Sequence, residues 1–168
     1  MFGGTRQRAA PATFPSSTIA TSMANELLAD SDFFIALYKR DDANHEMAVR
    51  LLETIGEKNM SIILSVFAYS EITTVLSQRI GKATARNFME DVETSGVRIV
   101  LATESLLEKA KHIFRQQRSK NVSFTDAANI ALANMQGFDT IVSFDNDYKK
   151  NGLRLFPNAL QEEEKLPY

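Results

Sequence analysis

From Met23 to Phe156 the chain holds no proline, and the five glycines of that span fall where a helix or turn should end. Without the residue that breaks helices and interior strands, this stretch can form long regular elements. It consists of short apolar runs alternating with longer segments of helical period. Such alternation argues for an α/β fold, a parallel sheet covered by helices on both faces.

The elements can be placed from their apolar spacing and their punctuation. A first strand, Leu27-Leu28-Ala29, meets a carboxylate at Asp30 and runs on into the helical segment Ser31–Leu37. Asp41 and Asp42 can cap a second helix with Met47, Ala48, Leu51, Leu52 and Ile55 inward and Gly56 as its stop. Ser61–Ser65 reads as a compact strand. The next helix turns Ala68, Ile72, Val75, Leu76 and Ile80 inward up to Gly81, and a fourth uses Ala85, Phe88, Met89 and Val92 up to Gly96. After a strand at Val97–Leu101, a fifth helix from about Thr103 buries Leu106, Leu107, Ala110, Ile113 and Phe114. A sixth, from about Thr125, buries Ala127, Ala128, Ala131, Leu132 and Met135 and closes at Gly137. Thr140–Ser143 is a strand, Asn146–Lys150 a short helix or turn, and Leu153–Phe156 an edge strand. One domain is expected over residues 23–157, with a disordered extension at 1–22 and a polar, acidic tail at 158–168. Organelle targeting is the lesser reading of the extension, which has no clear amphipathic face.

Composition removes several chemistries. There is no cysteine, so disulfides, thiolate metal sites and a cysteine nucleophile are excluded, and two histidines cannot make a histidine-rich zinc site. Any metal would be held by oxygen. No apolar run reaches the roughly 20 residues of a membrane span, and the expected location is the cytoplasm. The net charge of −2 is uneven, because residues 1–22 contain two arginines and no acid. The remainder is mildly acidic and lacks the basic footprint of a tight duplex-DNA binder.

Four acids stand where they could meet: Asp30 after the first strand, Glu71 in the second turn of the third helix, Asp126 at the start of the sixth, and Asp145 just after the strand Thr140–Ser143. The carboxyl rim of a parallel sheet is where such folds bind ligands. Taken singly, Asp30, Asp126 or Asp145 could be no more than helix caps. Glu71 borders the apolar stripe of its helix, between Phe67 and Val75, where a carboxylate is costly unless paired or bound to a metal. Together the four would suit Mg²⁺ or Mn²⁺, hard cations that take oxygen ligands and support hydrolysis at phosphorus.

The segments LLADSDFFIAL, AYSEITTVL, SFTDAANIAL and IVSFDNDY resemble, in order, the four signature segments of PIN-domain ribonucleases, and most of all the small VapC-like toxins of toxin–antitoxin pairs. The resemblance spans about residues 27–156. It implies a Rossmann-like three-layer sandwich with a mostly parallel sheet of four or five strands. It assigns Asp30, Glu71, Asp126 and Asp145 as the catalytic and metal-binding quartet, with Ser143 as the small hydroxyl residue before the last acid. It also implies Mg²⁺- or Mn²⁺-dependent cleavage of single-stranded or structured RNA, a homodimer, and a cognate antitoxin. Asp32 departs from the pattern, where Ser or Asn is more usual, and could add an outer oxygen.

Asn129 could orient Asp126 or a metal water, against an ordinary place on the helix surface. Asp147 fits a cap better than a ligand, and His45 a surface helix position better than a general base. Lys39, Arg40, Arg118 and Lys120 are candidate RNA contacts, while Tyr38 and Tyr69 fit packing better than base stacking. Two other readings compete. Asp30-Ser31-Asp32 matches the DxD of haloacid-dehalogenase-like phosphatases, with Asp30 as covalent nucleophile, although Phe33 follows it and Glu71 would have no task. The other is a PIN-like scaffold that only binds RNA or a partner.

Overall fold

The computed structural model describes residues 25–156, so the extension expected over 1–22 and the tail from 158 lie outside it. The described residues contain one five-stranded sheet made of β1 (Glu26–Ala29), β2 (Ser61–Ser65), β3 (Arg98–Val100), β4 (Thr140–Val142) and β5 (Arg154–Leu155). The strand order is β3-β2-β1-β4-β5, and every neighbouring pair is parallel. From β1 the chain steps outward to β2 and β3, then returns across β1 to β4 and β5. The connections leaving β1 and β4 therefore diverge, which opens a crevice at the carboxyl ends of these two strands. Asp30 and Ser143 are the residues that immediately follow them.

Seven helices cover the sheet: α1 (Ser31–Tyr38), α2 (His45–Glu57), α3 (Val66–Arg79), α4 (Lys82–Ser95), α5 (Glu104–Gln116), α6 (Phe124–Gln136) and α7 (Asp147–Lys150). Strand side chains alternate between faces. Leu27, Ala29, Ile62 and Leu64 join the core under α1 to α4, while Leu28, Ile63 and Ile141 join the core under α5 to α7. In the first core, Phe88 of α4 sits among Phe34, Tyr38 and Tyr69, with ring centroids 5.6, 5.7 and 5.5 Å away. The two tyrosines are thus packed, as expected.

Several apolar stripes end sooner than their spacing predicts. Met47, Ile80, Phe114 and Met135, all expected inward, are exposed. Ile80 lies just past α3, and Phe114 and Met135 lie in the last turns of α5 and α6. Helices of this length extend about 20 Å, whereas three-residue strands such as β3 and β4 span about 10 Å, so the last turns overhang the sheet. Met47 lies in the first turn of α2, whose buried positions are Ala48, Leu51, Leu52 and Ile55. That helix starts at His45, later than the Asp41–Asp42 cap would place it; Asp42 instead accepts the Asn44 amide at 3.0 Å. It also runs past Gly56, and the chain turns at Asn59, whose φ is 51°. Gly96 and Gly137 do end their helices, with φ of 78° and 76° in the left-handed region that glycine enters without strain. Among the described residues no helix is long and apolar enough to cross a membrane.

Replacing fully buried Phe88 by Ala should cost about 3–5 kcal/mol in urea unfolding, while Met47→Ala should stay within about 0.5 kcal/mol. Equal losses at both positions would contradict this division between core and surface.

Candidate active site

β1 ends by passing its ladder on, with the Asp30 amide donating to the Val142 carbonyl at 3.0 Å. The Asp30 carboxylate, 3% exposed, makes no side-chain cap to α1. It turns into the crevice instead, where Oδ1 accepts Asn129 Nδ2 at 2.9 Å and Oδ2 lies 3.4 Å from Ser143 Oγ. The simple cap reading therefore fails for Asp30.

Asp126 caps its helix and also reaches Tyr148 across the crevice. Its Oδ2 accepts the Ser123 amide at 2.6 Å, and Ser123 Oγ accepts the Asp126 amide at 3.1 Å, closing a capping box at the start of α6. Its Oδ1 accepts Tyr148 Oη–H at 3.1 Å. Asp145 Oδ1 accepts the Asp147 amide at 2.8 Å, so Asp145 supports the turn into α7. Glu71 is half-buried, and its Oε2 accepts Ser31 Oγ–H at 2.8 Å. Through that bond the second turn of α3 meets the first turn of α1.

Asp32 is a fifth acid at the same place. Its Oδ2 accepts Ser143 Oγ–H at 2.9 Å and the Phe144 amide at 2.7 Å, which fastens the loop after β4 to α1. Its Oδ1 is buried and has no hydrogen-bond partner among the described residues. One oxygen of this carboxylate thus holds the loop after β4, and the other faces no donor among the described residues.

The charges are unbalanced. Burial, followed by the charges of Asp32 and Asp126, pushes the Asp30 carboxyl well above the usual carboxylate range. Burial raises Asp32 to about 6, with Asp145 adding to the rise. Burial also raises Asp126, again with a contribution from Asp145. Tyr148 is held well above its ordinary value by burial and by Asp30 and Asp126. Among the described residues no ion pair joins a Lys or Arg to Asp30, Asp32, Glu71, Asp126 or Asp145.

Clustered like charges with no direct ion pair among the described residues, a buried carboxylate oxygen without a partner among them, and a donor set made only of oxygen together fit a hard divalent cation. The acids share one rim, yet among the described residues no three acidic or imidazole groups are closed around one ion position. Ser31, Asn129, Ser143 and Tyr148 stand between them as hydrogen-bonding spacers.

Asn129 is fully buried, so its weighed place on the helix surface is overturned. Its Oδ1 accepts Ser65 Oγ–H at 2.7 Å, and its Nδ2 reaches Asp30 and, at 3.2 Å, Tyr148 Oη. The sequence carries a signal for this, because Asn129 is set in the apolar run Ala127-Ala128-Asn129-Ile130-Ala131-Leu132-Ala133, where an amide needs partners. Nothing in their own segments marks Tyr148 or Ser31, because each acts through a contact made across the fold. Asp147 accepts from Ser119 Oγ at 3.2 Å and pairs with Lys150, so it fastens the α5–α6 connection to α7. His45 is half-buried, with Nδ1 2.7 Å from the Ala36 carbonyl. Of the four candidate RNA-contacting cations, Lys39 faces Asp41 and Asp42 at 3.4 and 3.7 Å. It and Arg40 follow the far end of α1, about 12 Å of helix from Asp30. Arg118 and Lys120 are exposed in the connection leading into Ser123 and Asp126.

Comparison with known proteins agrees with this architecture. The PIN domain family matches residues 27–152, and the chain belongs to that family. A search of curated proteins by sequence finds no match. Among solved structures, VapC20 of Mycobacterium tuberculosis, a sarcin–ricin-loop-cleaving toxin, is similar with a TM-score of 0.69 and 26% identity, over 76% of this chain and 95% of that one. FitAcB of Neisseria gonorrhoeae is similar at a TM-score of 0.58 and 16% identity, over 77% of this chain and 96% of that one. VapBC2 of Rickettsia felis, bound to a DNA fragment from its promoter, follows at 0.57 and 13%, over 77% and 96%. The last two speak to the fold alone.

Asp30, Asp32 and Asp126 hold their protons more tightly folded than unfolded. Their contribution to stability is therefore full below about pH 4 and declines as pH rises through the folded-state values, about 6 for Asp32. Surface carboxyls such as Asp139, lowered by hydrogen bonds from Thr140 and Arg154, act in the opposite direction. The informative quantity is thus a difference. In metal-free urea unfolding, Asp30→Asn should gain stability over the wild type, and the gain should widen from about pH 4 to about pH 7. A gain that is flat or shrinks with pH would show that Asp30 carries no excess charge burden.

Proposed function

We propose that this chain is a divalent-metal-dependent endoribonuclease and the toxin of a toxin–antitoxin pair, with Asp30, Glu71, Asp126 and Asp145 holding the ion and forming the catalytic centre. The observation that carries the reading is the set of carboxylates at the switch point between β1 and β4, joined by no Lys or Arg ion pair among the described residues, with a buried Asp32 Oδ1 that has no hydrogen-bond partner among those residues. Membership of the PIN domain family and likeness to a toxin that cleaves the sarcin–ricin loop support it. When bound, Mg²⁺ or Mn²⁺ supplies Lewis-acid stabilisation of charge on the phosphate and a lower pKa for the attacking water.

The chain's own residues set the geometry. Asn129 orients Asp30 and Tyr148 orients Asp126. Ser31 holds Glu71, and Ser143 links the Asp32 carboxylate to the amide of Asp145. Burial excludes water from the faces of Asp30 not turned to the crevice, so its charge is available only to a ligand arriving from the rim. The same reading brings a single-stranded or structured RNA substrate, a cognate antitoxin, a homodimer and a cytoplasmic setting.

Asp30→Asn and Asp126→Asn should keep the fold but abolish Mg²⁺- or Mn²⁺-dependent RNA cleavage, and growth arrest on expression. Tyr148→Phe and Asn129→Ala, which remove orienting bonds, should each lower metal affinity or turnover about 10- to 100-fold. Wild-type cleavage by both Asp→Asn variants would sink the nuclease reading. A phospho-aspartate trapped on Asp30 would favour the phosphatase instead. Absence of cleavage by the metal-loaded wild type, with RNA binding intact, would favour a non-catalytic scaffold.

A further inference from the structure

Residues 117–123 join α5 to α6 and are neither helix nor strand, yet they deliver Asp126 to the site. They are held to the α7 region. Gln117 Nε2 donates to Asn151 Oδ1 at 2.9 Å, and Ser119 Oγ donates to Asp147 Oδ2 at 3.2 Å. Just past the connection, Tyr148 Oη–H donates to Asp126 Oδ1 at 3.1 Å. These side-chain bonds zip residues 117–126 to residues 147–151, with Val122 as a buried anchor.

Each side of the zipper carries one acid. Asp126 ends one side, fixed there by its capping box with Ser123. Asp145 begins the other, with Oδ1 accepting the Asp147 amide at 2.8 Å. Asp147 therefore serves both sides, since its amide holds Asp145 and its carboxylate holds Ser119. Burial and then the charge of Asp145 raise the Asp126 carboxyl above its ordinary range, so the two acids act on each other. Among the described residues neither has an ion pair with Lys or Arg, and the Lys150 ammonium pairs with Asp147 instead. Like charges on opposing sides push a zipper open, and a cation between them draws it shut.

We propose that fastening of the α5–α6 connection is coupled to ion occupancy of the site: the zipper loosens when Asp126 and Asp145 face each other without a cation and locks when a divalent ion joins them. The inference rests on the reading that these acids hold the ion, and it adds a regulation of that site. Coupling between two equilibria is reciprocal. Whatever keeps residues 117–123 fastened raises the affinity for the ion, and whatever pulls them from α7 lowers it. Ser119 and Asp147 are thus positioning residues that act on the ion through the two acids. A purely structural connection would instead stabilise the fold equally at every ion concentration.

The test is amide hydrogen exchange of the full chain with and without Mn²⁺, beside calorimetric titration with Mn²⁺. At free Mn²⁺ about 100 times its Kd, exchange over residues 117–123 should slow about 10- to 100-fold, while residues 39–44, beyond the far end of α1, keep their rate. Ser119→Ala combined with Gln117→Ala should speed exchange there and weaken Mn²⁺ binding by about 5-fold or more. Ser119→Thr beside Gln117→Ala, which returns the hydroxyl, should recover part of that loss. Thermal unfolding confirms that the variants are folded, and the wild-type exchange stands without them. Exchange over 117–123 that Mn²⁺ leaves unchanged, or wild-type Mn²⁺ affinity in the folded double variant, overturns the coupling alone. A wild type that binds no Mn²⁺ removes the ion centre and the coupling with it. Mn²⁺ binding and protection without RNA cleavage sinks the nuclease reading and leaves the coupling standing, so the failures are distinguishable.

Discussion

The interaction on which the rest depends is the buried hydrogen-bonding of Asn129. One amide joins Ser65 at the end of β2, Asp30 at the end of β1 and Tyr148 in α7, all without solvent. Ser65 is also the cap of α3, accepting the Ala68 amide at 3.1 Å, so the same chain of bonds reaches the helix that carries Glu71. A buried polar group left unpaired costs more than the paired group contributes, so such a network holds as a unit. The angle at which α6 crosses the sheet is therefore tied to the orientation of the acid on β1.

That network holds together groups that repel. Buried and mutually repelling carboxylates destabilise the folded protein, and two well-packed cores, one on each face of the sheet, outweigh them. A local stability deficit of this kind fits a site meant to receive a positive ligand, since ordinary structure would have neutralised it with Lys or Arg.

Much of the fold was legible because it depends on periodicity and punctuation. Ser61–Ser65 was located as observed, and Gly96 and Gly137 ended α4 and α6 by a backbone requirement that is local. Errors fell where a local pattern met a global limit. Phe114 and Met135 have the spacing of buried residues, but they lie beyond the reach of the short strands, and Phe114 keeps an edge contact with Phe124 while staying exposed. At the site, the positions of Asp30, Glu71, Asp126 and Asp145 relative to strands and helices could be read directly. Asp32's attachment to the loop after β4 could not, because its partners Ser143 and Phe144 are more than 100 residues away.

By itself, the sequence determined the alternation of strand and helix, the oxygen-only chemistry open to any metal, and the placing of four acids at element ends. These are properties of neighbours within a few positions. Tertiary structure alone decided which acids are buried, which hydroxyl or amide holds each one, and that Asn129 and Tyr148 belong among them. It also lined up Phe67, Phe124 and Phe114, drawn from three helices, into one ladder. Those outcomes follow from strand order and helix crossing, and a linear pattern carries no record of either.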